Sequence, residues 1–183
     1  MKSGIDFLWG WLLVPSIFAH VDDGLHVNAL GVLLYLRPMN TGTILQVAGK
    51  AVIADRRGNI LILRESAAHE TNTKAGRYHL VGGRIEPGEA FFDGFQREIL
   101  EETGLSVEIG KPLLVGEWRP VIKGIPHQIV GIFMACTMKS GDTKLSDEHD
   151  DLQWIDPYQW TDYDIVSPDR DAIAAYVASL TST

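Results

Sequence analysis

The 183 residues are enough for one globular domain with a substantial core and a short remainder. At 45% hydrophobic and 22% charged residues the composition is that of an ordinary globular protein, and a formal net charge of −8 excludes broad contact with nucleic acid, which needs a basic surface. Cys136 is the only cysteine, so no intrachain disulfide forms; in the apolar run 129–136 it reads as a buried structural thiol, and a cytoplasmic location is expected.

The first forty residues differ from the rest. Residues 7–19 are apolar but broken by Gly10 and Pro15, and too short to span a bilayer comfortably. With Lys2 before it the stretch has a faint signal-peptide character, against which stand Asp6 and the lack of a small-x-small cleavage site. A second apolar stretch covers 29–36. Membrane association or export, an extra packed element, and residues upstream of the native start compete here. The last is favoured over membrane contact by residues 1–38, because 39–43 make a natural polar lead into the first clear strand. The expected organisation is an N-terminal extension, 1–40, and one domain, 41–183.

From Ile44 the pattern is mixed α and β. Residues 44–54 and 60–63 read as strands of a hairpin around the turn 56–59. Residues 65–76 are polar, a loop bordering the site. Helical period covers 90–103, with Phe91, Phe92, Phe95 and Ile99 toward the core and Gly104 as a left-handed stop. Strands are expected at 113–118, 127–138 and 152–155. Ser167 is expected to cap a last helix with Pro168 in its first turn, and Ile173, Tyr176, Val177 and Leu180 on one face.

The chemistry concentrates in 83–105. A glycine-rich turn runs into the amphipathic helix, where Glu98, Glu101 and Glu102 at i, i+3 and i+4 project from one face. Like charges at this spacing repel by a few tenths of a kcal/mol, roughly, per pair, and a hard divalent cation with oxygen ligands offsets that repulsion. Taken alone, three glutamates more often form a solvated helix face. Arg97, beside Glu98, can fix carboxylate rotamers, with Glu89 upstream; Gly82 and Gly83 allow close backbone approach to cations or phosphate.

The complete arrangement resembles the Nudix box: Gly, five residues, Glu, seven residues, then Arg-Glu-aliphatic-any-Glu-Glu-any-Gly-aliphatic. Its fixed positions are met by Gly83, Glu89, Arg97, Glu98, Ile99, Glu101, Glu102, Gly104 and Leu105. The resemblance implies an α+β fold, an α/β/α sandwich with a mixed sheet, over about 41–183. It also implies a metal-dependent hydrolase cleaving a diphosphate linkage in a nucleoside diphosphate bound to another group: a nucleoside triphosphate, nucleotide sugar, ADP-ribose or dinucleoside polyphosphate.

By position, Glu98 and Glu102 are the metal ligands the resemblance implies, and Glu101 is a further ligand or the base that orients water. The Gly82 carbonyl completes the shell, and Gly83, Glu89 and Arg97 support the site. Mg²⁺ is the implied cofactor, with Mn²⁺ as a substitute. The segment 145–151 resembles the family's Ser-x-Glu-His segment and makes Glu148 the extra ligand or general base; His149 either contacts substrate or orders the loop. Val81 stands where the family often has proline, which bears on loop stiffness and substrate fit.

For substrate, Arg84, Tyr78 and Trp118 are the chosen contacts; Trp154, Arg77, Arg119 and Lys123 are weaker ones. The partner is a small nucleotide-like molecule, and a homodimer is compatible with the sequence. The competing reading is a catalytically silent Nudix domain that senses a nucleotide, against which stands the retention of every box carboxylate. An isoprenoid diphosphate isomerase is disfavoured by the strand position of Cys136, and RNA decapping by the lack of a basic face.

Overall fold

The computed structural model describes residues 42–66 and 76–181, together with the strand backbone of 19–20, 25–27 and 33–35. The apolar stretch 7–18 and most of the expected polar loop, 67–75, lie outside the described residues. The chain forms two compact units, Met1–Thr41 and Gly42–Thr183. In the first, β1 (Ala19–His20), β2 (Leu25–Val27) and β3 (Leu33–Tyr35) make an antiparallel sheet in sequence order. No helix among the described residues is long and apolar enough to cross a membrane.

The second unit is built on a mixed seven-stranded sheet. Its strands are β4 (Ile44–Ala54), β5 (Ile60–Glu65), β6 (Tyr78–His79), β7 (Ser106–Trp118), β8 (Val121–Ile122), β9 (Ile125–Ser140) and β10 (His149–Ile155). The order is β10-β5-β4-β9-β7, with β6 on β5 and β8 on β9. Only β4 and β9 run parallel, from Ile44 opposite His127 to Ala54 opposite Thr137. At the β4–β5 turn, the Asp55 carboxylate accepts the backbone N–H groups of Arg57 and Asn59, both at 2.8 Å.

Two helices cover the sheet, α1 (Phe91–Thr103) and α2 (Asp169–Leu180). Side chains of a strand alternate between faces, so a strand buried on both sides reads as a continuous apolar run. Ala51, Ile53, Leu61 and Leu63 pack with Phe95 and Ile99 of α1. The intervening Val52, Ile60 and Ile62 pack with Ala172, Ile173 and Tyr176 of α2. The result is the three-layer α/β/α sandwich that the box resemblance implies.

Several local expectations are corrected. The stripe Phe91, Phe95, Ile99 sets the inner face of α1, and Phe92, about 100° away on the helix, is 55% exposed. Leu180, in the final turn, is likewise exposed. Pro168 rather than Ser167 holds the N-cap position of α2; the Ser167 hydroxyl donates to the Asp171 carboxylate at 3.2 Å. β7 begins at Ser106, well before residue 113, because register shifts on either side of Pro112 absorb the turn-like Gly110-Lys111-Pro112 on a sheet edge.

Candidate active site

The segment after β6 is held along β4 by three backbone bonds. Ala51 N–H donates to Val81 O at 2.9 Å, Gly49 N–H to Gly83 O at 3.0 Å and Ile85 N–H to Val47 O at 2.9 Å. The turn between them needs glycine twice. Gly82 has φ +111°, where a Cβ would collide with the Gly49 carbonyl; a Cβ on Gly83 would run into the Glu98 carboxylate. Loop and α1 are therefore pressed together at the glutamates. Gly104 ends α1 in the left-handed conformation, its N–H donating to Leu100 O at 2.8 Å.

Arg97 organises the box carboxylates. Its guanidinium grips Glu89 with two bonds, at 2.9 and 3.0 Å, and donates to Glu98 at 2.9 Å and Glu101 at 3.0 Å. Glu89 is held below its usual carboxylate range by these bonds and by the Glu86 N–H. Part of the glutamate repulsion that the sequence leaves to a cation is thus met by arginine.

Glu102 is turned the other way, its Oε2 accepting the Gly82 N–H at 2.7 Å. Desolvation raises the proton affinity of Glu102, against the pull of Lys50 and the Gly82 N–H. Glu98 is raised for the same first reason, with Arg97 opposing.

Glu98, Glu101 and Glu102 open into a cleft of about 940 Å³, as do Gly82, Gly83 and Arg84. Glu148 lines it from the loop before β10, its carbonyl anchored by the Ser66 N–H at 2.9 Å. His149 is 6% exposed and orders that loop: Nδ1 lies 2.7 Å from Ser146 Oγ, and Nε2 faces His79 Nε2 at 3.1 Å, one proton between them. The Leu80 carbonyl lies 2.9 Å from His79 Nδ1 and can only accept, which fixes Nδ1 as the donor. Burial lowers the proton affinity of His149.

The same cleft also has an apolar wall of Trp118, Ile122, Ile125 and Ile129, with His127 bonded to Gln46 at 2.8 Å. Trp118, Arg84 and Lys123 thus share the cleft. Tyr78 does not line it. Its hydroxyl donates to Asp151 at 2.6 Å and its ring meets Tyr163 edge-on at 5.5 Å. Trp154 packs in the α1 core, Arg77 pairs with Asp164 and Arg119 with Glu117.

Among the described residues no three His, Cys, Asp or Glu side chains form a ready-made ion cage. The donor chemistry nevertheless fits a hard cation that retains several waters and takes only one or two carboxylates. Glu98 and Glu102 are desolvated oxygen donors on one cleft, only partly compensated by positive charge. The carbonyls of Val81 and Gly83 accept backbone bonds, whereas that of Gly82 between them accepts none among the described residues.

The NUDIX domain model matches residues 45–176, which takes in α1, most of α2 and all of the cleft-bearing sheet except Ile44. The chain belongs to the NUDIX family. Among Nudix relatives, the CTP pyrophosphohydrolase of Escherichia coli K12 is 26% identical over 128 residues, covering 70% of this chain and 89% of that protein. An NAD-capped RNA hydrolase, NudC, of Actinobacillus succinogenes is 34% identical over 107 residues, covering 57% of this chain and 38% of the relative. The MutT protein structure from Methanosarcina mazei Go1 superposes with a TM-score of 0.65 at 24% identity, over 75% of this chain and 96% of that one, a likeness of fold.

Of the ionisable cleft residues, Lys50, His79 and His127 are not singled out by any sequence motif, and Glu65 enters only as part of the polar stretch expected to border the site. Lys50 had a signal, a charge inside the apolar run of β4. The others reach the cleft only through long-range strand pairing. Cys136 is buried, and desolvation pushes its thiol up to about 12, which fits an inert structural side chain.

Proposed function

We propose that residues 41–183 act as a metal-dependent pyrophosphohydrolase on a nucleoside diphosphate bound to a further group, with residues 1–40 an N-terminal extension. The observation that carries this reading is the convergence of Glu98, Glu102 and Glu148 on one cleft that Trp118 also lines.

Glu98 and Glu102 would hold the cation, Mg²⁺ with Mn²⁺ as a substitute, and the Gly82 carbonyl adds a neutral oxygen. Bound there, such a cation neutralises diphosphate charge and lowers the pKa of a coordinated water. Arg97 keeps the Glu98 and Glu101 carboxylates oriented. Glu148, exposed in the cleft, accepts the proton of the attacking water, with Glu101 as the alternative base. Water adds to phosphorus, the P–O bond of the anhydride breaks, and the leaving phosphate oxygen takes the proton. Arg84 presents positive charge to the phosphates, and Trp118 offers a face for a base to stack on.

The relatives' names, a CTP pyrophosphohydrolase and an NAD-capped RNA hydrolase, support anhydride cleavage in nucleotide substrates as the reaction class. Glu148→Gln tests the base: turnover should fall by about 10² or more with substrate affinity kept, and unchanged turnover would remove Glu148 from the mechanism.

A further inference from the structure

On the floor of the cleft, β4 supplies a lysine among apolar neighbours. Lys50 is 5% exposed, between Gly49 and Ala51, and its ammonium donates to the Leu80 carbonyl at 3.0 Å. That carbonyl already receives His79 Nδ1 at 2.9 Å, so the lysine is not needed to satisfy it. A carbonyl also carries no charge to balance an ammonium, and buried lysines are rare without opposite charge nearby. The opposite charge lies around the same cleft, in Glu65, Glu102 and Glu148. The fields of Lys50, Glu65 and Glu148 all reach both Glu102 of α1 and His149 of β10, so the ammonium and the carboxylates share one region of the cleft.

We propose that Lys50 is a resident counter-cation: it stands in electrostatically for one divalent ion among Glu65, Glu102 and Glu148, and holds the free protein's affinity for divalent cations below what its carboxylates alone would give. The inference rests on the metal-dependent reading above. Its consequence is ordered loading. Without substrate the cleft is weakly populated by cations; a diphosphate adds the negative charge that draws them in, so metal and substrate bind with mutual reinforcement. Lys50 is a positioning residue in this scheme, acting through the charge balance of the cleft.

The test is Mn²⁺ binding to the full chain without substrate, by electron paramagnetic resonance or calorimetry, for wild type, Lys50→Met, Lys50→Gln and Lys50→Arg. Met and Gln remove the charge, and Gln keeps a donor for the Leu80 carbonyl should Met fold poorly. Both should tighten Mn²⁺ binding by on the order of tenfold or more, since a unit charge acts on a divalent ion across a partly desolvated gap. Arg keeps the charge and should stay within about threefold of wild type. Unchanged or weaker Mn²⁺ affinity in folded Lys50→Gln, with wild type binding normally, overturns the role of Lys50 alone. Absence of Mn²⁺ binding in wild type and variants alike overturns the metal-dependent reading and this inference with it.

Discussion

The Asp169 carboxylate, at the start of α2, accepts the backbone N–H of Leu80 at 2.7 Å, and Asp169 is 1% exposed. The bond ties the helix on one face of the sheet to the residue that leads into Gly82 and Gly83. On its other side the Leu80 peptide is held through its carbonyl by Lys50 and His79. In a loop with Val81 where a proline would stiffen it, these side chains fix the peptide that proline would otherwise restrain.

Asp169→Ala should therefore lower stability by about 2–3 kcal/mol, the cost of a buried donor left without its charged acceptor. It should also reduce turnover, because Leu80 no longer fixes the glycine turn. Chemical denaturation and steady-state kinetics on the same sample check both. A stable variant with normal turnover would show that the bond neither holds the loop nor the helix.

Gly83→Ala tests the contact between turn and helix. The new Cβ enters the space of the Glu98 carboxylate, which must swing away from Arg97. Turnover should fall by on the order of 10²-fold while the fold survives, since a displaced charge-positioning group costs a few kcal/mol in the transition state. Circular dichroism and kinetics together distinguish this from unfolding.

How far the chain was legible follows from how local each feature is. The α1 face could be read from Phe91, Phe95 and Ile99 because helical contacts repeat within a turn, and Gly104 announced its stop. Burial of β4 on both sides was written in the unbroken run 51–54. By contrast, Glu65 is marked in sequence only as the first residue of a polar stretch bordering the site, and it ends β5 instead, while His79 carries no local mark at all. Only the antiparallel pairing of β6 and β10 with β5 brings His79 beside His149. The position of Tyr78 has the same origin: next to His79 on a strand, it points to the opposite face, where Asp151 takes its hydroxyl.

That Tyr78–Asp151 pair gives a pH signature. Burial, then the bond to Asp151, pushes the Tyr78 phenol up to about 12, while the phenol and Gln153 hold Asp151 below its usual range. The tyrosine's contribution to stability is whole below its ordinary pKa of about 10 and is lost as pH rises toward about 12. The aspartate's contribution is present above its ordinary pKa of about 3.9 and is lost as pH falls through the depressed value. Tyr78→Phe should flatten both limbs of the stability–pH curve. Unaltered limbs would mean the pair does not couple to folding.

Trp118→Ala should raise KM by about tenfold with kcat nearly kept, because a base stacked on the indole contributes roughly 1–3 kcal/mol to binding. Tyr78→Phe, outside the cleft, should leave KM unchanged. Equal effects from the two would contradict the assignment of the apolar wall to the base.

The most direct test of the account is hydrolysis of a panel of nucleoside triphosphates, ADP-ribose, nucleotide sugars and dinucleoside polyphosphates, with Mg²⁺ and with EDTA, by wild type and Glu102→Gln in parallel. The account predicts Mg²⁺-dependent cleavage of at least one member at its diphosphate, abolished by EDTA and reduced by about 10² or more in Glu102→Gln. Cleavage that persists in EDTA or in a folded Glu102→Gln would contradict it, and a folded wild type that binds Mg²⁺ yet cleaves no member would point instead to a nucleotide-sensing domain.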